Sequence, residues 1–183
     1  MRISVILARL KERAKKMIGT HTIIDVMAKS LFPVVKEYYN LFSRYGTTTS
    51  WDNEPFYQWI CLKGLAESLN RNVLVDRELN GKKVDLQVLE GETCQVAIEM
   101  KRYFSPGGTK EIPGFLSDIR SLYGHSNVPE KIFVITTIHE TSNQEGNYEF
   151  LSGELKIPKE RFVRKFIPLD NSLIFEIIGI GIE

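Results

Sequence analysis

Two tight-turn dipeptides, Asn80-Gly81 and Glu90-Gly91, separate three short β-rich runs at 73–76, 84–89 and 95–100. Asn-Gly readily takes the two positive-φ positions of a two-residue hairpin, so the first two runs are predicted to pair antiparallel. The Glu90-Gly91 turn folds the second run onto the third. A three-strand meander cannot hide its apolar residues by itself, so the segments around it must cover it. Before it, Glu54–Leu69 reads as a helix, with Pro55 in the first turn. Its apolar face would be Phe56, Trp59, Ile60, Leu62, Leu65, Ala66 and Leu69. After it come a Pro/Gly loop over 105–109 and a short helix from Pro113 that carries Phe115, Ile119 and Leu122 on one face. The run KIFVIT at 131–136 suits a buried strand, and 161–167 and 173–182 read as two more. This order predicts an α/β fold, a mixed central sheet flanked by helices.

Residues 1–50 have a different character. They hold nine Lys/Arg against three Asp/Glu, a balance of +6, whereas residues 51–183 hold fifteen against twenty, a balance of −5. The sum is the net charge of +1. Ile3, Ile6, Leu7, Leu10, Ala14 and Met17 recur at helical spacing among five basic residues, which predicts an amphipathic helix over 3–17. A second helix is expected from a Thr22 cap to about residue 45, with Pro33 kinking or splitting it. Residues 46–50 read as a linker. The chain therefore divides into an N-terminal helical extension, 1–50, and a main domain, 51–183. A basic segment on an acidic body suggests a polyanionic partner, nucleic acid or an anionic membrane surface.

The hydrophobic share is 43% and the charged share 26%, ordinary for soluble globular chains, which excludes disorder and fibrous classes. No apolar run is long enough to span a bilayer, so no transmembrane segment is expected. Cys61 and Cys94 lie in apolar segments and read as buried thiols of a reducing compartment, consistent with a cytoplasmic location. His21, His125 and His139 are not at ligand spacing with either cysteine, which argues against zinc. Phosphate loops and nucleophile elbows are absent from the sequence.

One constellation carries chemistry. Asp85 lies early in the second run, inside GKKVDLQV, and Glu99 and Lys101 end the third, inside VAIEMK. Residues two apart on a strand share a face, and the hairpin can bring Asp85 beside Glu99. The core-facing row is expected to be Val84, Leu86 and Val88 with Val96, Ile98 and Met100. Two hard oxygen ligands can hold Mg²⁺, with Mn²⁺ as a substitute, and a nearby ammonium can act on water or phosphate.

The arrangement resembles the PD-(D/E)xK nuclease superfamily, the restriction-endonuclease-like fold. Asp85 matches its isolated acid, Glu99-Met100-Lys101 its (D/E)-x-K, and Glu54 its upstream helical glutamate. Val84 stands where the pattern has proline. The resemblance covers about residues 51–140. It implies a metal-dependent deoxyribonuclease with Asp85 and Glu99 as metal ligands, Lys101 at the attacking water and Glu54 in support. A core this small suggests a homodimer if both DNA strands are cut. The alternative is a non-catalytic nucleic-acid- or membrane-binding adaptor on a nuclease-like scaffold, and a third reading keeps only the basic helix, as a peripheral membrane anchor.

Other residues read more plainly. Glu67 is a weaker substitute for Glu54, and Asp118 and Arg120 are expected to be solvated, although in the family that the chain resembles the helix after the Glu-x-Lys strand often faces substrate. The basic run Lys156, Lys159, Arg161, Arg164 and Lys165, interleaved with Phe162 and Phe166, would suit phosphate contacts or simply keep a strand edge soluble. Trp51 and Trp59 are expected in the core.

Overall fold

Asn80 and Gly81 have φ of 52° and 79°, the pair of positive values that a two-residue hairpin demands. They join β1 (Asn72–Leu79) to β2 (Lys82–Glu90), with Leu79 opposite Lys82. The next turn is Gly91-Glu92, one residue later than expected, because Glu90 and Thr93 already pair across it. Gly91 takes φ of 61° there. It leads into β3 (Thr93–Tyr103). A computed structural model describes residues 18–45, 54–104 and 106–183. The helix expected over 3–17, the linker 46–50, Trp51 and Ser105 lie outside the described residues.

The remaining elements are α1 (Thr20–Tyr45), α2 (Glu54–Leu69), α3 (Ile112–Tyr123), β4 (Glu130–Glu140), α4 (Gln144–Leu155), β5 (Phe162–Pro168) and β6 (Leu173–Gly181). Six strands form one sheet in the order β1-β2-β3-β4-β6-β5. Only β3 and β4 pair parallel, so the sheet is mixed. Their crossover contains α3, which covers one face together with α4. That core includes Ala97, Phe115, Leu122, Phe133, Ile135, Leu151 and Ile178. Helices α1 and α2 cover the other face over Leu86, Val88, Ile98, Met100, Val134, Phe175 and Ile177. With both faces covered, β4 and β6 are buried along most of their length. Among the described residues, no helix is long and apolar enough to cross a membrane.

Helix α1, part of the segment read as an extension, buries Ile23, Ile24, Met27, Leu31 and Val35 in the same core as the sheet. It begins at Thr20 rather than Thr22. The Thr20 N–H and hydroxyl donate to Glu130 Oε1 at 2.9 and 2.7 Å, so a side chain from β4 caps it. Pro33 does not split it. The proline lies on the solvent face, where the missing N–H leaves no buried carbonyl stranded.

Helix α2 turns a different stripe inward than the pattern implied. Tyr57, Gln58, Cys61 and Leu65 are buried, whereas Trp59 is 59% exposed. At 100° per residue, Trp59 lies opposite Tyr57 and Cys61, so it is a surface residue and not core. Helix α4 was not expected. Its buried stripe is Asn147, Leu151 and Leu155, and the polar first member and two glycines hide the period.

Where α1 crosses α2, a Cβ on Gly64 would stand 1.8 Å from Ser30 Oγ and 2.7 Å from Ser30 Cβ. The second atom is fixed to the α1 backbone, so the helices themselves must separate. Gly64→Ala should therefore lower stability by about 1–3 kcal/mol despite its better helix propensity, read as a lower urea midpoint at unchanged slope.

Candidate functional site

Strands β2 and β3 pair from Glu90–Thr93 to Leu86–Ile98 and then part. Past that point β2 follows β1 down to Lys82, and β3 follows β4 out to Tyr103. The sheet forks. Val84 and Leu86 are two residues apart yet lie in different cores, so β2 twists by half a turn at Asp85. This corrects the expected row: Val84 does not face the way Leu86 and Val88 do. Beyond Leu86 the two strands no longer pair, and the Asp85 carboxylate answers the β3 backbone instead. Its Oδ2 accepts the Met100 N–H at 2.7 Å. That bond fixes the acid at the crotch of the fork.

Glu99 is 7% exposed and hydrogen-bonded to Asp85 side chain to side chain. Burial, and then the neighbouring Asp85 charge, push its carboxyl far above the usual carboxylate range. Both causes favour the neutral form of the Glu99 carboxyl at the fork.

Lys101 follows on the same strand face. Its Nζ is 3.5 Å from Glu54 Oε1 and 3.7 Å from Asp118 Oδ2. Glu54 is the first residue of α2, and it reaches in from the helix layer opposite to that of Asp118 on α3. Burial opposes the Lys101 charge, but Glu54, Asp85, Asp118 and Glu99 outweigh it and raise its pKa, so the ammonium stays charged. Burial raises Glu54 and Asp118 in turn, against the pull of Lys101.

All four residues singled out from the sequence thus meet at one point. Asp118 joins them against expectation. Phe115, Ile119 and Leu122 are buried against the sheet, and Asp118, one turn from Phe115 and from Leu122, lies at the edge of that stripe. The helical spacing carried this signal, but only for a reader who knew which strand the helix covers.

The chain matches no family model, no curated protein and no solved structure.

Other expectations fall elsewhere. The basic run lies around β5, at the opposite end of the strand order from the fork, and four of its five members pair with acids. Lys165 pairs with Asp25 at 2.6 Å, Lys159 with Glu149 at 2.8 Å, and Arg161 with Glu183. Arg164 pairs with Glu176 at 2.6 Å, its guanidinium over the rings of Tyr148 and Phe166. His139 Nε2 contacts the same Glu176 at 2.7 Å. Both cysteines are buried, and burial pushes the thiols up, Cys94 to about 11.

Among the described residues no three His, Cys, Asp or Glu side chains form a ready metal cage. Two carboxylates do converge at the fork. They are hard oxygen donors held side by side, and a divalent cation bound there would offset the repulsion between them. The donor chemistry suits Mg²⁺, which takes one or two carboxylates and completes its shell with water and phosphate oxygens.

Proposed function

We propose that this protein is a metal-dependent deoxyribonuclease of the PD-(D/E)xK type, with the restriction-endonuclease-like core built on β1–β4 and α2. One observation carries the reading: Asp85 and Glu99 meet where β2 and β3 part, with the Lys101 ammonium beside them between Glu54 and Asp118. Asp85 and Glu99 would hold Mg²⁺ or Mn²⁺. When bound, such an ion lowers the pKa of a water and offsets charge on the phosphorus oxygens. The chain's own groups do the rest. The Met100 N–H holds the Asp85 carboxylate in place, and the fork buries Glu99 away from bulk water. Lys101, as a fixed ammonium rather than a base, orients the attacking water and neutralises the scissile phosphate. The water oxygen gives up a proton to solvent as it bonds to phosphorus, one P–O ester bond breaks, and the departing oxygen takes up a proton from solvent. Cutting both strands of a duplex calls for a homodimer, since one fork supplies one set of groups.

Incubation of the purified protein with supercoiled, linear and branched DNA tests this. Cleavage in Mg²⁺ that stops in EDTA is the expected result. DNA that is bound but stays intact in Mg²⁺ and in Mn²⁺ would overturn the reading in favour of an adaptor on the same scaffold.

A further inference from the structure

We propose that Asp118 is a positioning residue that, together with Glu54, holds the Lys101 ammonium in place at the fork; this rests on the nuclease reading above. A lysine side chain carries about 2 kcal/mol of rotamer entropy, and its ammonium is a flexible point charge. A single carboxylate would draw that charge to its own side of the sheet. Two carboxylates from the two opposite helix layers, 3.5 and 3.7 Å away, hold it between them.

Asp118 is suited to this by where it is anchored and by what it lacks. An aspartate in mid-helix usually finds its cation three or four positions away on the same helix. Here those positions are Gly114, Phe115, Ser121 and Leu122, none of them charged. Its cation comes from β3 instead. The helix cannot swing, because Phe115 packs edge-on against both Tyr103 and Phe133, at 5.7 and 5.5 Å between ring centres. Tyr103 is two residues past Lys101 on the same strand, so the lysine and its counter-charge are fixed to one rigid body.

Misplacing a catalytic group by about 1 Å can cost 10²-fold in rate, so the expected loss is in turnover and not in DNA binding. The test uses Asp118→Asn, nearly isosteric, and Asp118→Glu, which restores the charge. Two readouts are taken on the full chain: steady-state cleavage with Mg²⁺, and the rate at which acetic anhydride acylates Lys101 without DNA, followed by mass spectrometry. In the Asn variant kcat should fall about 10- to 100-fold while KM for DNA holds or falls. Lys101 should acylate several-fold faster, and the Glu variant should recover most of both. Unchanged acylation would overturn the proposal, as would an unchanged kcat. A raised KM at constant kcat would also overturn it, by making Asp118 a DNA contact. Equal losses in the Asn and Glu variants with lowered melting temperatures would reduce it to a structural residue. A wild-type protein that cuts no DNA would overturn the nuclease reading itself, a distinguishable result because acylation needs no turnover.

Discussion

Glu99→Gln should cut DNA at least about a thousandfold more slowly than the wild type, yet melt no lower in chelator at pH 8. The two halves of this result share one cause. Burial, and then Asp85, hold the Glu99 carboxyl far above its ordinary value of 4.5. A carboxyl raised by folding contributes stability that is fully present below its unfolded pKa. That contribution declines as pH rises toward the folded value. Glutamine has the same shape and never ionises, so it escapes that decline. The wild type should therefore lose ground to the variant between pH 5 and pH 8 in EDTA, and regain it when Mg²⁺ is added. Activity fails because one of two oxygen ligands is gone. Melting curves at both pH values beside a plasmid-nicking assay check it. A variant that melts lower and still nicks would make Glu99 half of a structural pair.

Lys101→Ala should behave in the opposite way towards metal. Both carboxylates remain and a competing positive charge is removed, so Mg²⁺ affinity should hold or tighten. Cleavage should nonetheless fall by about two to four orders of magnitude, the range for losing a positioned acid–base or electrostatic group. DNA affinity should change little, since one phosphate contact among several is a small part of the total. Titration calorimetry with Mg²⁺ and single-turnover cleavage on the same variant check it. Wild-type cleavage would remove Lys101 from the site and leave Glu-x-Lys a chance tripeptide.

Much of the sheet was legible because its information is local. Asn80-Gly81 dictates a hairpin, β-branched runs dictate strands, and the Phe115, Ile119 and Leu122 spacing dictates the face of α3. The convergence of Asp85, Glu99 and Lys101 followed from hairpin geometry and strand alternation. What could not be read depends on contacts between distant segments. Trp59 looked like core because an apolar side chain at helical spacing gives no sign of which stripe meets the sheet. Val84 changed faces because β2 twists at the fork, and alternation assumes that strands stay paired. Helix α4 buries Asn147 in its stripe, a choice made by the loop it packs on and not by its own period. Asp118 looked solvated because its partner is seventeen residues back on another element.

The way α1 is buried has a consequence for how the chain is made. Its apolar residues are closed over by α2, β5 and β6, and Ile24 sits so tightly on Gly179 that a Cβ there would stand 2.3 Å from it. During synthesis α1 leaves the ribosome well before those strands exist. Until they emerge, Ile23, Ile24, Met27, Leu31 and Val35 have α2 to pack on but leave apolar surface uncovered, the kind of surface that chaperones hold and aggregates recruit. The segment from Glu54 to Asp118, which carries every group at the fork, can meanwhile pair its hairpins as it appears. Nascent chains stalled before residue 162 should therefore resist refolding in isolation, however complete their catalytic residues are.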